Sequence, residues 1–132
     1  MNMCVVGLGY VGCVSAACFA EFGHQVVGVD ANPGKVRLVS QGIAPIVEDR
    51  ISELMKEQVL KGCLTATTDL NAAVIKSELV LVCVGTPISP DGSLDFSQIE
   101  RSCVEIGTAL KNKKAYTSVV IRSTVLPVPR AA

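Results

Sequence analysis

The sequence of 132 residues lacks the residue patterns that hold metal ions or carry out redox chemistry at thiols. Its only histidine, His24, starts a connection between two apolar segments and is interpreted as a turn residue. The six cysteines are scattered, with no Cys-x-x-Cys pair, so zinc and thioredoxin-type chemistry are unsupported. We predict no metal site, and we interpret the cysteines as small buried residues in a reducing compartment, not as catalytic thiols.

Net charge and long apolar runs are absent too. Twelve basic and twelve acidic side chains sum to zero, which argues against a nucleic-acid or membrane-surface partner. The apolar runs are far shorter than the roughly 20 residues that span a membrane, and no signal-peptide pattern precedes them. We expect a cytoplasmic protein with a single domain, long enough to bury a core of its own.

The most informative stretch is the glycine-rich segment near the start. An apolar run leads directly into Gly7, Gly9 and Gly12, spaced G-x-G-x-x-G, and a helix-like segment follows. The first glycine permits a tight turn, the second leaves room for phosphates, and the third lets the helix pack against the strand. The helix start adds unpaired N–H groups and partial positive charge. The pattern predicts a pyrophosphate site, with an ordinary structural turn as the alternative.

A second apolar run, residues 25–29, ends at Asp30, eighteen residues after Gly12. An acidic residue at this spacing accepts hydrogen bonds from the ribose hydroxyls of a dinucleotide, and its charge repels a 2′-phosphate. We therefore predict NAD as the cofactor in preference to NADP. Lys35, about one helical turn further on, either tolerates a phosphate or is a solvated helix residue.

The remaining chain alternates apolar strands with helical segments. Strands are predicted at residues 3–6, 25–29, 64–68, 79–84 and 118–121. Capping residues predict the helix starts, namely Asn32 before Pro33, Asp49, Asp69, and Asp95 paired with Gln98. The buried stripe of the last helix is predicted to be Phe96, Ile99, Cys103, Ile106 and Leu110. This alternation predicts an α/β fold with a doubly wound parallel sheet and a ligand at the carboxyl ends of its strands.

Two threonines, Thr86 and Thr124, follow apolar strands and are candidates for the same ligand site. Each hydroxyl either binds a cofactor phosphate or ribose, or satisfies the backbone of its own turn. The residues alone leave both interpretations open.

Five motifs in order closely resemble the N-terminal, Rossmann-type NAD-binding domain of the UDP-glucose/GDP-mannose dehydrogenase family. The resemblance covers residues 1–127 and rests on residues 7–12, 28–30, 44–48, 84–87 and 122–127. The Pro-Ile-Val-Glu loop and the Arg-Ser-Thr-Val-Leu-Pro segment are most similar to the GDP-mannose 6-dehydrogenase branch, with the UDP-glucose branch as the alternative. Residues 128–132 form an atypical tail, since the family usually continues with Gly-Thr after Pro127.

The resemblance implies the four-electron oxidation of a sugar-nucleotide alcohol to a uronate, with two NAD and a homo-oligomeric full-length enzyme. It implies that cofactor-binding positions are Tyr10, Val11, Asp30, Lys35, Thr86 and Thr124. It also implies that the catalytic cysteine and the sugar-nucleotide site belong to a C-terminal domain. We expect these 132 residues to be an NAD-binding fragment, inactive alone; the alternatives are a stand-alone nucleotide-binding module and a non-functional remnant with exposed apolar surface.

Overall fold

The computed structural model describes residues 1–123, which form a central sheet flanked by helices. The strands are β1 Asn2–Val6, β2 Gln25–Val29, β3 Leu64–Thr67, β4 Leu79–Val82 and β5 Ser118–Ile121. The helices are α1 Tyr10–Glu21, α2 Pro33–Ser40, α3 Asp49–Leu60, α4 Leu70–Lys76 and α5 Ser97–Leu110. Within this range no helix is both long enough and apolar enough to cross a membrane.

The five strands are all parallel, in the order β3-β2-β1-β4-β5. The chain moves outward from β1 to β3, then crosses back to β4 on the other side of β1, so the strand order switches there. Val6 is level with Val29 of β2 and with Val82 of β4. The connections that follow these three strands therefore meet at one edge of the sheet, which confirms the predicted doubly wound topology.

Apolar side chains alternate between the two faces of the central strands and fill a separate core on each side. Met3 and Val5 pack with residues of α1, α2 and α3, whereas Cys4 and Val6 pack with α4 and α5. Cys4, Val5 and Val80 have no exposed surface. Burial on both faces explains why β1 and β4 are continuous apolar runs.

Two predicted helix starts are confirmed and two are shifted by one residue. Asn32 and Asp69 cap α2 and α4 by accepting hydrogen bonds from the N–H groups of Gly34 and Ala72. The N-cap of α3 is Glu48, not Asp49, and Phe96 occupies that position in α5. The predicted cap Asp95 lies one residue before the N-cap and accepts from the N–H of Ser97, the first residue of α5.

The prediction that all cysteines are buried is wrong for four of the six. Cys4 and Cys13 are buried, while Cys18, Cys63 and Cys83 are partly exposed and Cys103 is exposed. Cys103 faces solvent because α5 turns Ile99, Ile106 and Ala109 inward. Ala109 thus takes the place that the predicted stripe gave to its neighbour Leu110, which is only partly buried.

Strand β5 lies at one edge of the sheet and keeps much of its apolar surface open. Val119, Val120 and Ile121 are 38%, 43% and 38% exposed. Among the described strands, β5 has no partner on its outer side, and an edge of this kind with apolar side chains favours association with another chain or segment. The self-association expected of a remnant stays a prediction.

Burial raises the pKa of the Cys4 thiol to about 12 from its ordinary 9.0. The unfolded chain therefore loses this proton at lower pH than the folded chain, and the associated stability is present below pH 9 and is lost as the pH rises towards 12. Each pH unit above 9 should lower the free energy of unfolding by about 1.4 kcal/mol on account of this thiol. Urea unfolding between pH 8 and 10.5 measures the slope. Cys4→Ala should remove the contribution of one proton, about 1.4 kcal/mol per pH unit, from the slope of the unfolding free energy against pH. Equal slopes for the two proteins would show that Cys4 does not cause the loss of stability.

Candidate cofactor-binding site

The turn between β1 and α1 depends on the backbone freedom of Gly7. Its φ is +102°, a region that side chains rarely adopt, and a Cβ there would lie 2.8 Å from the carbonyl of Cys83. Its N–H donates to the carbonyl oxygen of Val29 at 2.7 Å. Gly7 therefore closes the turn onto the ends of both neighbouring strands.

The third glycine of the motif serves the packing of α1 on this turn. A Cβ at Gly12 would lie 1.7 Å from the carbonyl oxygen of Gly7, far inside van der Waals contact. The first turn of α1 thus rests directly on the backbone of the loop that precedes it. Any side chain at residue 12 would force the two apart.

The middle glycine behaves differently, because the fold does not require it. Gly9 has φ −83° and ψ −158°, which is extended backbone open to any residue, and a Cβ there would meet no atom within 4 Å. It lies in front of the N-terminus of α1, whose first N–H groups have no partner within the helix. The open space at Gly9 fits a phosphate that approaches the backbone closely.

Asp30 connects the glycine turn to the connection after β2. Its Oδ2 accepts a hydrogen bond from the N–H of Leu8 at 2.8 Å, and its Oδ1 accepts from the N–H of Asn32 at 2.9 Å. A carboxylate offers about four acceptor positions. Two remain for a ligand, which matches the two hydroxyls of a ribose.

Leu8 also anchors the turn through its side chain, a role that the sequence analysis missed. The side chain is fully buried, and a Cβ on Gly28 would lie 2.8 Å from its Cδ2. Gly28 therefore provides the space in β2 that Leu8 fills. A glycine inside an apolar strand is the signal that points to such a close approach.

A cleft of about 890 Å³ runs along this edge of the sheet, within the size range of small-molecule sites. It brings together seven of the nine predicted site residues, namely Gly7, Gly9, Tyr10, Val11, Asp30, Lys35 and Thr86. Gly12 lies behind the turn and does not line the cleft. Thr124 lies outside the described residues, so its predicted role stays a prediction.

Among the described residues, the charges that line the cleft are mixed, with a basic excess. Lys35, Arg101 and Arg122 face two carboxylates, Asp30 and Glu105. Among the side chains that the structure describes, the one ion pair within 4 Å joins Glu57 of α3 to Lys61 directly after it, so these cations are not paired with the two cleft acids. A net positive cleft suits an anionic pyrophosphate.

Polar residues near the end of β5 and on α5 also line the cleft. Ser123 stands at one of the strand ends expected to converge there, whereas the residues of α5 were not predicted for the cleft. The hydroxyl of Ser123 donates to the carbonyl oxygen of Val84 at 2.7 Å and so ties the end of β5 to the connection after β4. On α5, Gln98, Arg101, Ser102 and Glu105 face the cleft. Their spacing of three, four and seven residues was the available signal.

The thiol that lines the cleft is poorly suited to nucleophilic chemistry. Burial raises the pKa of Cys83, and the positive charge of Arg122 only partly opposes this effect. A thiol with a raised pKa is protonated at neutral pH, whereas the nucleophile is the thiolate. The described cleft is thus equipped for binding.

A parallel sheet with a glycine turn, a helix N-terminus and an acidic residue at adjacent strand ends defines a dinucleotide-binding domain. The model of the NAD binding domain of the UDP-glucose/GDP-mannose dehydrogenase family matches residues 1–131. The chain therefore belongs to this family of dehydrogenases and is its NAD-binding domain. This confirms the resemblance and the choice of NAD as cofactor.

The relatives include enzymes for both kinds of sugar nucleotide. The chain is 46% identical over 127 residues to GDP-mannose 6-dehydrogenase of Azotobacter vinelandii. The aligned region covers 96% of this chain but 29% of that protein. It is 41% identical to UDP-glucose 6-dehydrogenase of Rhizobium meliloti, of which it covers 28%. The chain thus spans less than a third of the length of the relatives it matches.

The fold is equally similar to solved structures. A ternary complex of GDP-mannose dehydrogenase from Pseudomonas aeruginosa superposes with a TM-score of 0.94 at 45% identity, over 96% of this chain and 29% of that one. UDP-glucose dehydrogenase from Pyrobaculum islandicum gives a TM-score of 0.90 at 37% identity, over 95% and 29%.

Because their surroundings differ, substitution by alanine should affect NAD binding at Gly9 and folding stability at Gly12. Gly9→Ala should leave the melting temperature within about 2 °C, since a surface change away from special features costs at most about 0.5 kcal/mol, and should weaken NAD binding at least tenfold. Gly12→Ala should instead lower the melting temperature strongly or prevent folding. Thermal melts and calorimetric NAD titrations of both variants check this, and a Gly9→Ala protein that binds NAD normally would contradict the assignment.

Proposed function

We propose that this domain holds NAD for the oxidation of GDP-mannose to GDP-mannuronate by a sugar-nucleotide 6-dehydrogenase. The observation that carries the proposal is the joint geometry of Gly9 and Asp30, which together offer a phosphate cradle and two free acceptor positions. The identity to GDP-mannose 6-dehydrogenases and the Pro45–Glu48 loop support the choice of sugar nucleotide. One alcohol and one water give the carboxylate, and two NAD take up the four electrons.

In this proposal the pyrophosphate lies over Gly9 and the first N–H groups of α1, next to Tyr10 and Val11. Asp30 accepts from the hydroxyls of the adenosine ribose, and Lys35 adds a cation beside it. The hydroxyls of Thr86 and Thr124 bind cofactor phosphate or ribose. The bound NAD supplies a two-electron oxidant, and the residues of this chain bind and orient it.

The chemical steps on the sugar then require groups that the described cleft does not supply. Oxidation to the acid proceeds through a covalent intermediate in the implied mechanism, which needs an activated thiolate. Cys83 is held as a thiol by burial. We therefore propose that these 132 residues bind NAD but do not turn over a sugar nucleotide, and that the remainder of the full-length homo-oligomeric relatives supplies the substrate site.

Two other functions remain candidates. The 41% identity to a UDP-glucose 6-dehydrogenase favours UDP-glucose as the alternative substrate of the complete enzyme. The binding-only character of the cleft favours a stand-alone nucleotide-binding module. NAD binding by the chain is expected under all of these functions, so the activity of the complete enzyme with GDP-mannose and with UDP-glucose separates the two substrates.

The role of Asp30 predicts the preference between the two dinucleotides. The chain should bind NAD at least tenfold more tightly than NADP, because a hydrogen bond to a charged group contributes about 1.5–3 kcal/mol and the carboxylate repels a 2′-phosphate. Asp30→Asn should weaken NAD binding about tenfold and reduce the preference, as measured by calorimetric titration of both dinucleotides. Asp69→Asn is the matched control, since Asp69 caps α4 and does not line the cleft. An unchanged NAD to NADP ratio in Asp30→Asn would refute the assignment.

Binding without turnover is itself testable. With NAD and either GDP-mannose or UDP-glucose, the purified chain should give no absorbance increase at the wavelength of NADH above a protein-free blank. A full-length relative serves as the positive control under the same conditions. NADH formation by the chain alone, lost when Cys83 is changed to serine, would show that the thiol in the cleft is reactive after all.

A further inference from the structure

The polar face of α5 lines one wall of the cleft beside the buried face of the same helix. Gln98, Arg101, Ser102 and Glu105 face the cleft, whereas Ile99 and Ile106 turn into the core. The core residues explain why α5 packs on the sheet, but they do not explain a polar stripe directed at a ligand site. A stripe of this kind needs a ligand of its own or is solvated.

The position of this wall follows from the strand order. A pyrophosphate at Gly9 and a ribose at Asp30 place the base of the nucleotide beyond Asp30, on the side away from β1. There β2 adjoins β3, and the connection into α4 contributes Thr68 and Leu70 to the cleft. Helix α5 packs against α4, and its polar face lines the same cleft. Leu70 and the polar face of α5 are therefore the candidates for contact with the base.

Among the four residues, Arg101 has the chemistry to bind the flat face of a purine. A guanidinium is planar and weakly hydrated, so it stacks on aromatic rings as well as forming ion pairs. Arg101 is exposed, and among the described residues no carboxylate lies within 4 Å of it. Its side chain is thus available to lie against a base. Gln98 and Ser102 flank it with hydrogen-bonding groups.

We propose that Arg101 is a specificity-determining residue that stacks on the adenine of the bound dinucleotide and selects a purine at that position. The proposal rests on the proposed placement of the pyrophosphate and ribose. Arg101 contacts the base, so its contribution to the binding affinity depends on the size of the base ring. This dependence separates stacking from a general attraction between a cation and the phosphates.

The test compares two dinucleotides that differ only in the base, NAD and nicotinamide cytosine dinucleotide, by calorimetric titration of the full chain. Arg101→Ala should weaken NAD binding about tenfold, in line with the typical contribution of stacking on one base, and the cytosine analogue by less than about threefold. Arg101→Lys keeps the charge but loses the planar group, so it should resemble Arg101→Ala. Arg37→Ala is the matched control, because Arg37 is exposed on α2 and does not line the cleft.

Each other result has a distinct meaning. Equal losses for the two dinucleotides in Arg101→Ala, together with normal binding by Arg101→Lys, would overturn stacking and assign Arg101 to the phosphates. An Arg101→Ala variant that behaves like Arg37→Ala while Asp30→Asn still weakens NAD would overturn this inference and leave the proposed function standing. A wild-type chain that does not bind NAD would overturn both. Circular dichroism melts confirm that each variant is folded.

Discussion

The hydrogen bonds accepted by Asp30 hold the two halves of the cleft together. One carboxylate fixes the N–H of Leu8 in the glycine turn and the N–H of Asn32 at the start of α2, at 2.8 and 2.9 Å. The turn after β1 and the connection after β2 are thereby locked to each other before any ligand arrives. The same carboxylate keeps two acceptor positions free, so the group that stabilises the apo site can also accept from the ribose that we propose there.

The three glycines of the motif divide between folding and binding. Gly7 and Gly12 are required by the backbone itself, since a Cβ would collide with the carbonyl of Cys83 or of Gly7. Gly9 is required by nothing within the described fold, and we propose that it leaves space for a phosphate. The motif is continuous in sequence, but Gly7 and Gly12 shape the turn, whereas the role proposed for Gly9 is to leave space for a phosphate.

The period of the apolar residues was enough to predict the sheet, its doubly wound order and the convergence of Gly9, Asp30 and Thr86. The exact helix caps and the side chains that α5 turns toward the cleft could not be predicted in this way. Glu48 and Asp49 are adjacent acids that can each cap a helix, and the backbone turn selects Glu48. The rotation of α5 about its axis is set by packing on α4, so neither the exposure of Cys103 nor the cleft-facing Arg101 follows from local pattern. The buried side chain of Leu8 against Gly28 is likewise a contact between distant strands.

We propose that the dinucleotide lies across the strand ends with its pyrophosphate at the N-terminus of α1. Titration of the isotope-labelled chain with NAD, followed by amide NMR shifts, tests this residue by residue. We expect the amides from Leu8 to Gly12 and that of Asn32 to shift most and to reach saturation at the same NAD concentration. Dominant shifts in the smaller groove between α1 and α3, at Glu48, Arg50 and Leu54, would contradict it.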